Sequence, residues 1–349
     1  MTRAISIEAT IRTTNGAIAL HNLDAHIDGL ERQSAQGLTL RCTTELAGLL
    51  MLRGHILGRI ADYEAAAELT EELPRVLLTD GRAFLARART RACLHRFAEA
   101  LTDLDSAELL GATGPEVDDE RAAILQAVGR YEEALIMHVA AERRRPTFAT
   151  LAALAALHAE RAEVAQAERL FDGCRERFRG VSPFELAQLD FRRAQLWLEQ
   201  RDLPRAREWL LESWRRVQAY AAAEGHLAEV EADLGEPESA ITRLRRLAHR
   251  SDDPDYAAQL ARILLDVGRP EEAAQWRQSA AARYAQLVDR HPAAFADHAA
   301  EFYLTTGDEF ERALRLARLN AEIRPTPRAF ALLARIAAAH ATDRPYEAA

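Results

Sequence analysis

Apolar and polar positions along this chain repeat with the period of helices. Residues 17–35 are the clearest single stretch: Ile18, Leu20, Leu23, Ile27 and Leu30 share one face at helical spacing. Elsewhere the apolar positions are mostly Ala and Leu. Hydrophobic residues make up 48% of the chain and aromatics only 6%, which suits closely packed helices and not an aromatic-rich β sandwich. Between the helical stretches a six-residue phrase returns: a turn residue, a polar residue, a ring or proline, two mostly polar residues, then alanine. It reads ADYEAA at 61–66, HRFAEA at 95–100, GRYEEA at 129–134, AEVAQA at 162–167 and RDLPRA at 201–206. It continues as GEPESA at 235–240, GRPEEA at 268–273, DEFERA at 308–313 and RPYEAA at 344–349.

The closing alanines are Ala66, Ala100, Ala134, Ala167, Ala206, Ala240, Ala273, Ala313 and Ala349, in steps of 34, 34, 33, 39, 34, 33, 40 and 36 residues. Length alone, 349 residues, would suggest about two globular domains. The repeat replaces that expectation with one array. A period near 34 carrying this phrase resembles the tetratricopeptide repeat. The resemblance covers roughly 47–349, weakly in any one repeat and strongly in aggregate. It implies an all-α, right-handed α-solenoid of antiparallel helix pairs, A and B, with the phrase at the turn between them. Gly129, Gly235 and Gly268 suit the left-handed backbone that ends a helix, and Pro237 and Pro270 suit the first turn of the next. The closing alanines let helix B approach helix A. Leucine at Ala134 or Ala273 should cost about 1–3 kcal/mol through overpacking.

These readings divide the chain into an N-terminal capping helix region at 1–46, eight helix pairs at 47–325, and a capping helix or truncated ninth repeat at 326–349. The longer step after Ala167 places a loop around 178–185, where Gly180 and Pro183 stand. The step after Ala273 contains no breaker, which predicts a long helix over 271–289 stopping before Pro292.

In the family the A helices line the concave surface, so the resemblance directs attention to their inward positions. Arg53, Arg87, Arg121 and Arg193 stand 13 residues before their closing alanines, each followed by Gly54, Ala88, Ala122 or Ala194. Two readings fit this ladder. The guanidinium forks could form a carboxylate-binding wall. Alternatively they could form internal salt bridges, with Asp118 and Asp190 three residues before Arg121 and Arg193.

Two HxxE phrases, His226/Glu229 and His298/Glu301, put a histidine and a carboxylate on one helix face, a spacing that can chelate a metal or exchange a proton. Glu301 falls on the small-residue packing position of its repeat, so it needs a partner such as His298 or Arg262. Gln195, Glu229, Arg262 and Phe302 are equivalent positions on successive A helices, with Gln188, Phe191, Arg192, His226, Gln259 and His298 around them. Mixed charge beside an aromatic anchor is what a specific pocket offers. Repeat four is nearly bare there, with Ala149, Ala152, Ala153 and Ala156.

Charge and composition narrow the function. The net charge of -9 disfavours bulk nucleic-acid binding, as do Glu116, Asp119 and Glu120 on repeat three. The 45 basic residues are all arginine. That removes Walker A loops and Schiff-base lysines, and it bars the lysine-dependent carboxylate clamp that some tetratricopeptide proteins use. Cys42, Cys93 and Cys174 are odd in number and far apart, against a disulfide framework or cysteine zinc site. Neither HExxH nor GxSxG occurs, and lone histidines such as His55, His138 and His158 read as packing or surface residues. The N-terminal residues lack a signal-peptide apolar stretch and no membrane span is apparent, so a cytoplasmic setting is expected.

The resulting expectation is a non-enzymatic scaffold without a cofactor, holding a peptide or partner protein in its concave groove. Arg87, Arg121, Phe191, Arg192, Gln195, His226, Glu229, Gln259, Arg262, His298 and Phe302 are the candidate contacts. The alternative is a metal- or small-molecule-binding accessory protein using His226, Glu229, His298 and Glu301.

Overall fold

The computed structural model describes residues 11–34 and 39–343. Residues 1–10 and the closing phrase at 344–349 lie outside the described residues. Among the described residues there are helices and no strands. A first helix, α1 (Gly16–Ser34), precedes eight antiparallel pairs. The pairs are α2 (Leu40–Leu57) with α3 (Ile60–Glu71), then, after a short α4 (Leu73–Val76), α5 (Gly81–Cys93) with α6 (Phe97–Leu109). Next come α7 (Pro115–Ala127) with α8 (Tyr131–Arg144), and α9 (Phe148–Glu160) with α10 (Val164–Arg177). The second half holds α11 (Pro183–Glu199) with α12 (Leu203–Arg216), α13 (Ala221–Asp233) with α14 (Pro237–Arg250), and α15 (Pro254–Asp266) with α16 (Pro270–Arg290). The last pair is α17 (Pro292–Thr305) with α18 (Phe310–Ile323), followed by α19 (Pro327–Asp343). The first pair thus opens at Leu40, ahead of residue 47.

The phrase does in the structure what its residues dictate. Gly129, Gly235 and Gly268 hold φ of 78°, 87° and 76° at the A–B turns, the region that favours glycine. Pro237 and Pro270 open their B helices, where no amide donor is needed. All eight closing alanines from Ala66 to Ala313 are at most 1% exposed, pressed against the A helix of their own pair. A methyl group is what the gap admits.

In repeat eight the register departs from the alanine count. The packing position falls on Ala300, which is fully buried, and not on Glu301. The physical reason is the turn: α17 ends at Thr305 and α18 starts at Phe310, one residue later than the spacing between α15 and α16. Every position counted back from Ala313 therefore shifts by one.

The spiral is wound tightly enough for one turn to rest on the next. Asp252, between α14 and α15, accepts hydrogen bonds from the amides of Ile60 (2.6 Å) and Ala61 (3.1 Å) at the start of α3. Ser251 donates its hydroxyl to the Gly58 carbonyl. One repeat further on, His95 Nδ1 lies 3.2 Å from the Ala293 carbonyl. One repeat beyond that, Arg324 Nε donates to the Ala127 carbonyl at 3.3 Å. Glu64 joins the same seam by pairing with Arg290 at 2.6 Å and His291 at 3.0 Å. The A–B turns of repeats one to three are thus seated on the loops that follow repeats six to eight. The concave face is closed into a lumen.

Candidate functional site

The A helices line that lumen, and their inward side chains sense one another across it. His55 on α2 is held neutral, its pKa pushed down to about 4 by burial and by Arg192 on α11. It shares a 2.9 Å hydrogen bond with the fully buried Tyr220. Glu160 on α9 and Glu199 on α11 are raised above the usual carboxylate range, first by burial. Glu120 on α7 is raised for the same reason, against the attraction of Arg89. The Cys93 thiol, open to the lumen but ringed by protein, is pushed up to about 12 by burial, so it is no activated nucleophile.

The centre of charge lies on α15 and α17. His298, its side chain 54% exposed to the lumen, is lifted to about 10 by Asp297 first, with Asp255 and Asp253 adding. Its Nδ1 is 3.8 Å from Asp255 Oδ1 and its Nε2 is 4.0 Å from Asp297. Asp255 also accepts from Gln259 at 2.7 Å and from the Tyr284 hydroxyl at 3.3 Å. An imidazolium within the lumen is thus held by carboxylates from two neighbouring A helices. Burial would raise Asp297 as well, but His298, Arg324 and His95 hold it below the usual range.

The candidate residues fall into three groups. The first is the arginine ladder, whose members are engaged inside the repeat walls. Arg53 makes a two-pronged pair with Asp62 at 2.8 and 2.7 Å, and Arg87 does the same with Asp103 at 3.0 and 2.6 Å. Arg121 pairs with Asp105 and Glu108, and Arg193 with Glu168 and Asp172 while lying 4.0 Å over the Trp209 ring. Each A-helix arginine meets carboxylates on a B helix. The partners expected one turn earlier are engaged elsewhere: Asp118 with Arg144, and Asp190 with Arg175 and Arg216. Arg87 and Arg121 therefore stand outside the lumen contacts.

The second group is aromatic. Phe302 is 3% exposed and packs between Tyr284, at a ring separation of 5.2 Å, and Tyr303, at 5.0 Å. It is a core residue, and the one-residue register shift is why the alanine count placed it on the inner wall. Phe191 is also largely buried, 5.3 Å from the Tyr220 ring and 5.5 Å from that of His226.

The third group forms two inward rows on α11, α13, α15 and α17. One row runs Arg192, His226, Gln259, His298; with the corrected register the other runs Gln195, Glu229, Arg262, Glu301. His226 Nδ1 lies 3.0 Å from Glu229, and Arg262 approaches Glu229 at 3.7 Å and Asp266 at 3.6 Å. Arg192 is exposed on the inner wall and makes no hydrogen bond or ion pair within the described residues. Glu301 pairs with Arg335 of α19, not with His298 or Arg262. The four metal candidates do not converge, and no group of three or more His, Cys, Asp or Glu side chains among the described residues is placed to hold a metal ion.

Several lumen residues carry little sequence signal. Asp255 could have been found from the DPD run at 253–255, where Asp253 caps α15 by accepting from the Asp255 amide at 3.0 Å. Tyr220 and Asp252 could not, because their partners His55 and Ile60 come from repeats far along the chain; Asp297 stands next to His298 and within reach of Arg324, one repeat on.

The fold is thereby defined as a tetratricopeptide-like α-solenoid. No family profile and no curated protein matches the chain. Solved structures match its shape. A monomeric mutant of IFIT1 with m7Gppp-AAAA aligns over 93% of this chain and 77% of its own, at 13% identity and a TM-score of 0.53. The human IFIT1 dimer with PPP-AAAA aligns over 90% of this chain and 78% of its own, at 12% identity and a TM-score of 0.51. Such a likeness concerns the fold.

Proposed function

We propose that this chain is a non-enzymatic interaction scaffold that holds an extended peptide segment of a partner protein along its inner wall. The observation that carries this reading is the pair of inward rows on α11, α13, α15 and α17. Successive helices present a free guanidinium at Arg192, a His226/Glu229 pair, Arg262, and a cationic His298 among carboxylates. Groups of both signs, one helix apart, match the polar groups of an extended chain, and preformed helices lose little entropy when they are engaged. Gln195 and Gln259 add hydrogen-bonding amides, while Phe191 packs in the wall behind His226. Catalysis is not part of this reading: the lumen histidines are paired or held neutral, and the Cys93 and Cys174 thiols are both pushed up to about 12 by burial.

The IFIT1 structures hold RNA, and that suggests a nucleic-acid ligand here. The lumen argues for peptide instead. Asp255 and Asp297, held below the usual carboxylate range by His298 and its neighbours, stay charged there and would repel a phosphate backbone.

The test is panning of a random-sequence peptide library on the purified chain. Enriched peptides are then titrated against wild type, Arg192→Ala, Arg262→Ala and the outer-surface control Arg144→Ala. Loss of affinity in the first two variants and not in the control is expected. Failure to enrich any peptide, or equal binding by all four proteins, would sink the proposal. Triphosphate and capped RNAs are run in the same assay. Tight RNA binding lost in Arg192→Ala would replace the peptide with RNA.

A further inference from the structure

The seam that closes the spiral is built from turns seated in notches, and among the described residues the same chain carries one such notch with nothing seated in it. Two glycine turns are seated. A Cβ added at Gly58 would meet Ser251 Oγ at 2.9 Å, the Ala221 Cβ at 3.0 Å and the Tyr256 ring at 3.1 Å. One added at Gly129 would meet the Pro325 carbonyl at 2.8 Å and Thr326 Cγ2 at 3.4 Å. Five positions therefore receive the turns. Alignment of the repeats on their small packing residues, and of α7, α15 and α19 on their opening prolines, gives the counterparts of these five on the second and third repeats. They are Gly81, Ala112, Val117, Thr113 and Gly114. All five line one open cavity of about 640 Å³ between α5 and α7.

Apolar side chains that the seam would cover stand exposed beside that cavity: Leu78 is 69% exposed, Leu109 87% and Leu110 37%. On the opposite edge of the spiral the complementary feature is also unfilled. The turns at Gly235 and Gly268 have the same left-handed backbone as Gly129, yet a Cβ at either would meet nothing within 4 Å among the described residues. Leu234 (39% exposed), Leu265 (44%) and Val267 (36%) flank them. These unfilled edges cannot meet within one chain, because each seated turn rests on the loop after the repeat five further along, and the chain has eight repeats.

We propose that this chain stacks head to tail on a second copy of itself, continuing its own seam. The Leu234–Gly235 turn of one copy seats in the Gly81–Ala112–Val117 notch of the next. The Val267–Gly268 turn, one repeat along, rests against the loop at 145–147, just as the seated turns advance one repeat at a time inside the chain. The two surfaces differ, so the contact is heterologous and does not close: each added copy leaves one notch and one turn free.

Sedimentation velocity over a concentration series tests this with the full chain. The mass of the wild type should climb with concentration past that of a dimer. Ala112→Arg blocks the notch and Leu234→Asp blocks the turn, and each alone should stay monomeric. Mixed together they should form a one-to-one dimer and nothing larger, because the mixture holds one intact notch and one intact turn. Leu110→Asp, at the exposed rim, repeats the notch test should Ala112→Arg fail to give the wild-type helical spectrum. A monomeric wild type at every concentration overturns the proposal. So does association that survives both blocks, or blocked variants that fail to pair when mixed.

Discussion

The carboxylate of Asp252 caps the helix that begins at Ile60, whose amide lies 2.6 Å from Oδ1 although 192 residues separate the two in sequence. A helix N-terminus leaves amides unsatisfied, and a carboxylate there meets both the free donors and the helix dipole. Arg283 holds the same carboxylate from behind at 3.1 Å. The contact fastens one turn of the spiral to the next. Asp252→Ala should lower stability in urea by about 0.5–2 kcal/mol, the usual cost of a lost N-cap. Asp252→Asn, which keeps an acceptor oxygen, should lose less. Small-angle scattering of Asp252→Ala should show a larger radius than wild type; an unchanged radius and midpoint would mean that the seam is held without this cap.

Arg53 and Asp62 lock α2 to α3, with side chains 14% and 9% exposed. Removing one partner of such a pair strands the other, whereas removing both does not. Arg53→Ala should therefore destabilise by about 3–5 kcal/mol. Arg53→Leu with Asp62→Leu should recover most of that loss. If the double variant were as unstable as the single, the pair would be contributing its own attraction and not merely avoiding a stranded charge.

The repeat was legible because turn chemistry is local: Gly129, Pro237 and Ala273 declare themselves within six residues. The ladder at Arg53, Arg87 and Arg193 was legible as a pattern, but its partners lie on the opposing B helix, where no fixed spacing points to them. Counting back from a closing alanine located inner-wall positions correctly only while turn length stayed constant. One added residue before Phe310 moved Glu301 onto the inner wall and Phe302 into the core. The seam left no trace in sequence, since Gly58, His95 and Gly129 meet residues nearly two hundred positions away through the curvature of the whole array.

His298 gives the lumen a pH response with a definite sign. Its folded-state pKa stands near 10, raised chiefly by Asp297, against an ordinary value of 6.5. A histidine raised on folding contributes stability that is fully present below its unfolded value and is lost as pH rises through the folded one. Stability should therefore fall between about pH 6.5 and pH 10. His298→Gln should flatten that part of the profile while losing stability at the acid end of the window. Urea midpoints across the range read this directly, and the imidazole carbon shift in NMR reports the titration itself. A His298 that titrates at its ordinary value would remove the cation from the centre of the lumen.

Phe302 separates a packing role from a binding one. Its ring is 3% exposed, stacked on Tyr284 and edge-on to Tyr303, within the cluster that ties α16, α17 and α18 together. Truncation of such a ring loses its buried area and leaves a cavity that rigid neighbours cannot fill, so Phe302→Ala should cost about 3–5 kcal/mol. Phe302→Leu keeps much of the volume and should cost less than Phe302→Ala. Its neighbour behaves in the opposite way: Glu301→Ala breaks an exposed pair with Arg335 and should change stability by no more than about 1 kcal/mol. Peptide affinity per folded molecule should be unaltered in Phe302→Leu and altered in Glu301→Ala, because only Glu301 lines the inner wall. Equilibrium unfolding beside a titration of the same variants would distinguish the two roles. A Phe302→Leu protein with wild-type stability and weakened binding would return Phe302 to the lumen.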